Sequence, residues 1–320
     1  MTSKISLLDK GIYKSTVRRY SIGSLLYFIL LFLCTGMIVL LSVNKDYYYI
    51  PSHEERWSLI LSGEYMILPI FMALVVPTVV GLMIFRFLHS KKTSVFIHSL
   101  PVKREANYIS SVLASFTLMA APIILNTLVL IILSLCGYGE YFTTGECITW
   151  MLINLFTVFV MFSCVCFVAS LTGNSFAMIA LNILFHFFVL IFAAGFSIVS
   201  EAFLYGFSGD NEVINKVFEH TFPTKIMSEV SMWSHDGFES KLFVPEFIVI
   251  AIILYILSGV LYKKRRMETA EDVAGFKCLN HIFKYMVTFI GAIVAFSLFC
   301  HSCGAGSRFV PTPIFSAPGS

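Results

Sequence analysis

The residues able to do chemistry fall into three groups, and their placement limits that chemistry. The first is the stretch Arg86 to Tyr108, reading RFLHSKKTSVFIHSLPVKREANY, with five Lys/Arg between two long apolar runs. The second is a sparse set of neutral polar groups inside apolar runs: Asn126, Asn154, Asn182 and His186. The third is eight cysteines, mostly inside apolar runs, which is not the pattern of a secreted disulfide framework. No charged residue falls in the apolar core of any long run, and Glu246 lies only at the edge of one. Ion-coupled carriers and proton pumps usually place Asp, Glu, Lys or Arg at mid-membrane, so the sequence speaks against them. It speaks equally against a carboxylate pair or a metal site within the bilayer.

Asn182 and His186 are four apart and share one helix face. Together with Asn126 and Asn154 they are the candidates for lining a translocation path. The alternative is hydrogen bonding between helices, worth about 0.6 kcal/mol per contact, and for Asn182 and His186 it is preferred. Cys164 and Cys166 are two apart on a helix and face different ways. Cys300, His301 and Cys303 are too few and too close for a zinc site. Cys136 and Cys147 flank a short loop, where they either pair or stay free. The chain has no G-x-x-x-x-G-K-[ST] loop to cradle a phosphate, so it has no nucleotide site of its own. It reads as a non-enzyme that binds no cofactor or metal itself.

The elements that position these groups are set by hydropathy. The chain is 58% hydrophobic and 13% charged over 320 residues, against roughly 25% charged in an average globular protein. A membrane-crossing helix needs about 20 apolar residues. Seven runs qualify as candidates: Ser24–Val43, Met66–Phe85, Ile109–Cys136, Ile148–Ser170, Phe176–Val199, Phe243–Tyr262 and the shorter Tyr285–Cys300. The first starts too late and runs too long for a cleavable signal, and is read as a retained span. The fold class is all-α and polytopic.

Charge orients the spans. The net charge of +3 hides an asymmetry. Sixteen of the 22 Lys/Arg lie in residues 1–23, 86–108 and 263–284, with five acids, a net +11. The other side carries six basic and 14 acidic residues, a net −8. The positive-inside rule then places the N-terminus in the cytoplasm. The basic clusters suit this role and anionic headgroups, not nucleic acid.

Between the spans, residues 1–23 carry Ile5, Leu8 and Ile12 near helical spacing among Lys10, Lys14, Arg18 and Arg19, which predicts an amphipathic helix in the inner interface. Residues 24–262 make a six-span domain. The turn Leu171–Ser175 (LTGNS) makes the fourth and fifth spans a hairpin. The external loop 200–242 mixes seven acids with Phe203, Phe207, Phe218, Phe222 and Trp233, and is expected to fold back on the membrane. Residues 263–284 read as a basic linker, 285–300 as a seventh span and 301–320 as a disordered, Gly/Ser/Pro-rich tail with an altered or truncated look.

Within Arg86–Tyr108, Ser94–Leu100 predicts a short helix. Phe96, Ile97 and Leu100 then share a face, with Lys91 and Lys92 leading in. Pro101 ends that helix and is placed to open the next. The product is a basic-rimmed knob with an apolar tip, suited to a partner's groove. As a bare connector, its Lys/Arg would only set topology.

The run HSKKTSVFIHSLPVKREANYISS resembles the first intracellular loop of bacterial ABC-2-type transporter permeases, closest to Gram-positive members of the antimicrobial-peptide and cell-envelope-stress class, including acetoin-utilisation-like ones. The segment LYKKRRMETAEDVAGFKCLNHIFKY is similar to theirs too. The resemblance implies a six-helix half-transporter with a connecting helix at about Ile5–Tyr20, a coupling helix at about Lys91–Leu100 and a re-entrant element within Ser200–Leu242. It implies coupling residues Lys91, Lys92, Ser94, Phe96, Ile97, His98, Leu100, Pro101, Lys103 and Arg104. It implies as partners a dimeric ABC ATPase carrying ATP and Mg, a second permease copy or homologue, and the lipid bilayer. The expected role is export of a peptide or amphipathic compound across a bacterial plasma membrane. The rivals are a non-transporting sensor or resistance protein that binds an envelope-active peptide and, further off, a secondary transporter.

Overall fold

The structure, a computed structural model, describes residues 8–37, 40, 60–61, 63–99, 101–138, 142–203, 221–223, 225–226, 243–265 and 277–302. For some of these, among them Phe96, Ile97 and His98, only the backbone is described. Among the described residues, eight bounded α-helices follow in order: α1 Lys10–Phe32, α2 Gly63–Ile84, α3 Lys91–His98, α4 Arg104–Leu133, α5 Thr144–Leu171, α6 Ser175–Phe203, α7 Phe243–Lys264 and α8 Lys277–Ser302. Among the described residues there is no β-strand.

Among the described residues, five helices are long and apolar enough to cross a membrane: α1, α2, α4, α5 and α7. A sixth is reached if α6, bent by 53° between Ser175–Phe188 and Ile191–Ser197, counts as one span. The apolar part of α8, Lys284–Phe296, is shorter than a span. The run expected as a seventh span at 285–300 lies within this helix. That helix starts at Lys277, inside the expected linker.

Three helix starts show how local chemistry sets the frame. The Asp9 carboxylate accepts from the Gly11 and Ile12 amides at 2.8 and 3.0 Å and caps α1. Thr143 and Glu146 form a reciprocal capping box at the start of α5. In the turn after α5, Asn174 accepts from the Phe176 amide at 3.0 Å and starts α6, giving the predicted α5–α6 hairpin.

Helix α5 is the centre of the bundle. Trp150, Phe162, Val165 and Cys166 on it are fully buried. Among its polar residues, Thr157 and Ser170 turn inward at little cost because they donate to carbonyls of their own helix at 2.9 Å. Gly81 of α2 faces Val165, and Ser258 of α7 donates to the Cys166 carbonyl at 2.7 Å. Small residues at these crossings let helix backbones approach closely, as apolar solvent requires.

Helix α1 runs unbroken from Lys10 through the boundary expected at 23/24, ending in a π-helical turn, Leu33–Met37. It is not a separate interfacial helix followed by a span. Its hydrogen bonds to α4 run from Asp9–Ser110 through Ser24–Leu118 to Thr35–Asn126. These bonds are spread from its cap to its last turn, so α1 is seated on α4 along its length.

Most of the external loop lies outside the described residues. Within it, Phe222 is buried between Phe156 of α5 and Phe247 of α7, with ring centroids 5.9 and 4.9 Å away. Phe156 lies about 22 Å along α5 from Leu171 at helical rise. The tail from 303 onward, and with it Cys303, lies outside the described residues.

Candidate functional site: the junction at the basic end

The start of α1, the ends of α2, α5 and α7, and the starts of α4 and α6 meet at one end of the bundle, where the basic residues collect. Contacts that tie them include the Tyr20 hydroxyl to the Met83 carbonyl at 2.8 Å and the Asn107 amide to the Tyr262 hydroxyl at 2.8 Å. The short helix α3 hangs from this junction. A 3₁₀ turn, Phe85–Leu88, extends α2 and delivers the chain into it. The Ser90 carbonyl accepts from the Ser94 amide at 2.9 Å and from the Thr93 hydroxyl at 3.1 Å, which sets the first turn.

Of the predicted coupling residues, Lys91 and Lys92 are exposed and Ser94 is buried against the root. Val95, not singled out from sequence, is 62% exposed. The side chains of Phe96, Ile97 and His98, and all of Leu100, lie outside the described residues. Pro101 does not open the next helix: it lies in a bend, and Lys103, extended at φ −64° and ψ 142°, is the cap before Arg104. Arg104 reaches back and donates to the carbonyl of Arg265 at 3.2 Å, closing the end of α7.

Arg265 holds the junction together. It is 6% exposed, and its guanidinium donates to the Leu88 carbonyl at 3.0 Å and the Ala169 carbonyl at 3.1 Å. These carbonyls end the 3₁₀ turn of α2 and lie in the last turn of α5. Helix C-termini carry partial negative charge, so a buried cation is stabilised there without a carboxylate. One side chain at the end of α7 thus joins α2, α5 and, through its own carbonyl, α4. Sequence reading passed over it because Lys263–Arg266 is a run of four basic residues, and only the helix register buries the third.

His89 sits beside it, 7% exposed, with Nδ1 3.0 Å from the Ser175 hydroxyl at the start of α6. Burial first, and the Arg265 cation second, push its imidazole down to about 4. His89 is then neutral at pH 7. The unfolded chain takes up that proton near pH 6.5, so stability is unaffected above that point and falls as pH drops from about 6.5 toward 4. The full loss is at most about 3 kcal/mol. Melting followed from pH 7 to 4 is expected to show this decline in the wild type and a shallower one in His89→Gln.

The candidate path residues are not brought to this junction. Asn126 donates to Thr35 of α1 at 2.8 Å, Asn182 to Thr78 of α2 at 2.9 Å, and Asn154 to the Trp150 carbonyl of its own helix at 2.9 Å. His186 is buried, and its Nε2 has no partner among the described residues. Two of the four therefore tie one helix to another. Cys136 is exposed and Cys147 buried, both as free thiols.

A cleft of about 1010 Å³ opens between α1, the end of α2, α3 and the start of α4. Arg18, Arg19, Arg86, Thr93, Asn107 and Ser111 are among the residues lining it. None of the four candidate path residues does. In comparisons with family models, curated proteins and solved structures, none matches this chain.

Proposed function

We propose that the chain is the membrane permease subunit of an ATP-binding cassette transporter, of the ABC-2 type, in a bacterial plasma membrane. It moves, by export, a peptide or amphipathic compound, and catalyses no bond-breaking step. A separate dimeric ATPase binds ATP and Mg, and a second permease copy or homologue completes the pore. The supporting observation is α3 and its root. An eight-residue helix with an exposed basic start projects between two membrane-length helices, and its base is tied by Arg265 to two others. Force applied to such a helix reaches several spans at once, which is what a subunit lacking its own energy source requires. The resemblance of HSKKTSVFIHSLPVKREANYISS supports the same reading.

The test is association. Phe96→Asp and the exposed-site variant Val95→Asp are co-expressed with an ABC ATPase subunit that the wild-type chain retains on purification, and co-purification is measured at matched membrane levels. Loss of about tenfold in association, equal to about 1.4 kcal/mol, is expected. Undiminished association and transport in both variants would sink the proposal.

A further inference from the structure

The cleft beside α3 has a chemistry that the coupling role does not use. Arg18 and Arg19 on α1 and Arg86 in the 3₁₀ turn put three guanidinium groups on its walls, and none of its lining residues is acidic. Among the described residues, none of the three guanidinium groups has a hydrogen-bond or ion-pair partner. Two acids described at this end are engaged elsewhere: Asp9 caps α1 and Glu105 pairs with Lys263. The Ser15, Thr16 and Thr93 hydroxyls and the Asn107 amide add neutral hydrogen-bonding groups. Ile12, Met83, Ile84 and Phe87 give the wall an apolar part, beside Tyr20, Ser90 and Ser111.

We infer that this cleft binds the phosphate-bearing headgroup of an anionic lipid. Guanidinium groups recognise phosphate through paired N–H donors. A free phosphate would satisfy the arginines alone. A lipid satisfies the apolar wall as well, and the cleft lies where membrane-length helices end, at headgroup depth. Its volume exceeds what a bare phosphate fills. The remaining basic residues of this end attract anionic lipid diffusely, whereas three arginines lining one concave site hold one molecule. Because Ser90 and Thr93 form part of the wall, the bound headgroup touches the root and first turn of α3. The site does not depend on the permease reading.

The full chain in neutral detergent is titrated with a fluorescent phosphatidic acid. One saturable site per chain is expected, displaced by unlabelled phosphatidic acid and phosphatidylglycerol but not by phosphatidylcholine, glycerol 1-phosphate or inorganic phosphate. Removing three charges in Arg18→Gln/Arg19→Gln/Arg86→Gln is expected to weaken binding about a hundredfold. Thr93→Glu, which adds a negative charge at an exposed position and keeps every arginine, is expected to weaken it about tenfold. The charge-matched control Lys10→Gln/Lys14→Gln/Lys264→Gln changes exposed residues outside the cleft and is expected to cost less than about threefold. Equal weakening in the arginine and lysine triples overturns the site in favour of diffuse attraction. Displacement by inorganic phosphate as effective as by phosphatidic acid overturns the lipid assignment.

Discussion

Replacing Arg265 with Met is expected to destabilise the chain by about 3 kcal/mol or more. Met keeps the volume of the stem but removes both donors. The Leu88 and Ala169 carbonyls then stay buried at helix ends with nothing to bond. Each bond to a charged donor contributes about 1.5–3 kcal/mol, and an orphaned buried acceptor costs about 1–3 kcal/mol. Arg265→Lys keeps the charge but presents one ammonium in place of a fork, so it is expected to hold one carbonyl and fall between. Thermal melting in detergent, followed by size-exclusion of the surviving fraction, measures the effect. A melting midpoint in Arg265→Met equal to wild type would show that the junction is held by packing alone.

The second large effect is expected at Gly81. A β-carbon there would lie 2.2 Å from Cγ1 of Val165 and 3.3 Å from Cε of Met178. The methionine end can move. The valine is β-branched and stiff on the fully buried face of α5, so α2 must be pushed off. Gly81→Ala is expected to cost about 2 kcal/mol and Gly81→Val more. Val165→Ala alone removes two methyls from the core and costs about 1–2 kcal/mol. Combined with Gly81→Ala, it frees the space the new methyl needs, so the double variant should be more stable than the sum of the singles predicts. That non-additivity separates a steric clash from a simple loss of helix flexibility, which Val165→Ala could not repair.

These two residues mark the edge of what the sequence can say. The apolar runs located α2, α4, α5, α6 and α7 within a few residues, because about 20 apolar residues in a row have few alternatives to a buried or membrane helix. Helix α3 was legible from the break that Pro101 imposes, though the proline sits in the bend before α4 and not in its first turn. The boundary at 23/24 misled because polarity changes there, and a change of polarity does not bend a backbone. Gly23 adds no hinge; a β-carbon on it would meet nothing, and the helix runs through. Arg265 was hidden because burial of one residue in a basic run depends on helix phase and on which neighbours arrive, neither of which composition records. The path candidates Asn126 and Asn182 were visible as polar, but their Thr35 and Thr78 partners lie 91 and 104 residues away.

The seating of α1 on α4 bears on how the chain is built. Its cap amide at Asp9 bonds Ser110, and its far end at Thr35 bonds Asn126, separations of 101 and 91 residues. At a synthesis rate of about 5–20 residues per second, the first helix waits roughly 5–20 s for the surface it finally rests on. During that interval the Thr35 hydroxyl has only its own backbone, the Leu31 carbonyl, as a partner. The first placement of α1 is thus provisional, and its final seat is acquired only when α4 is delivered beside it.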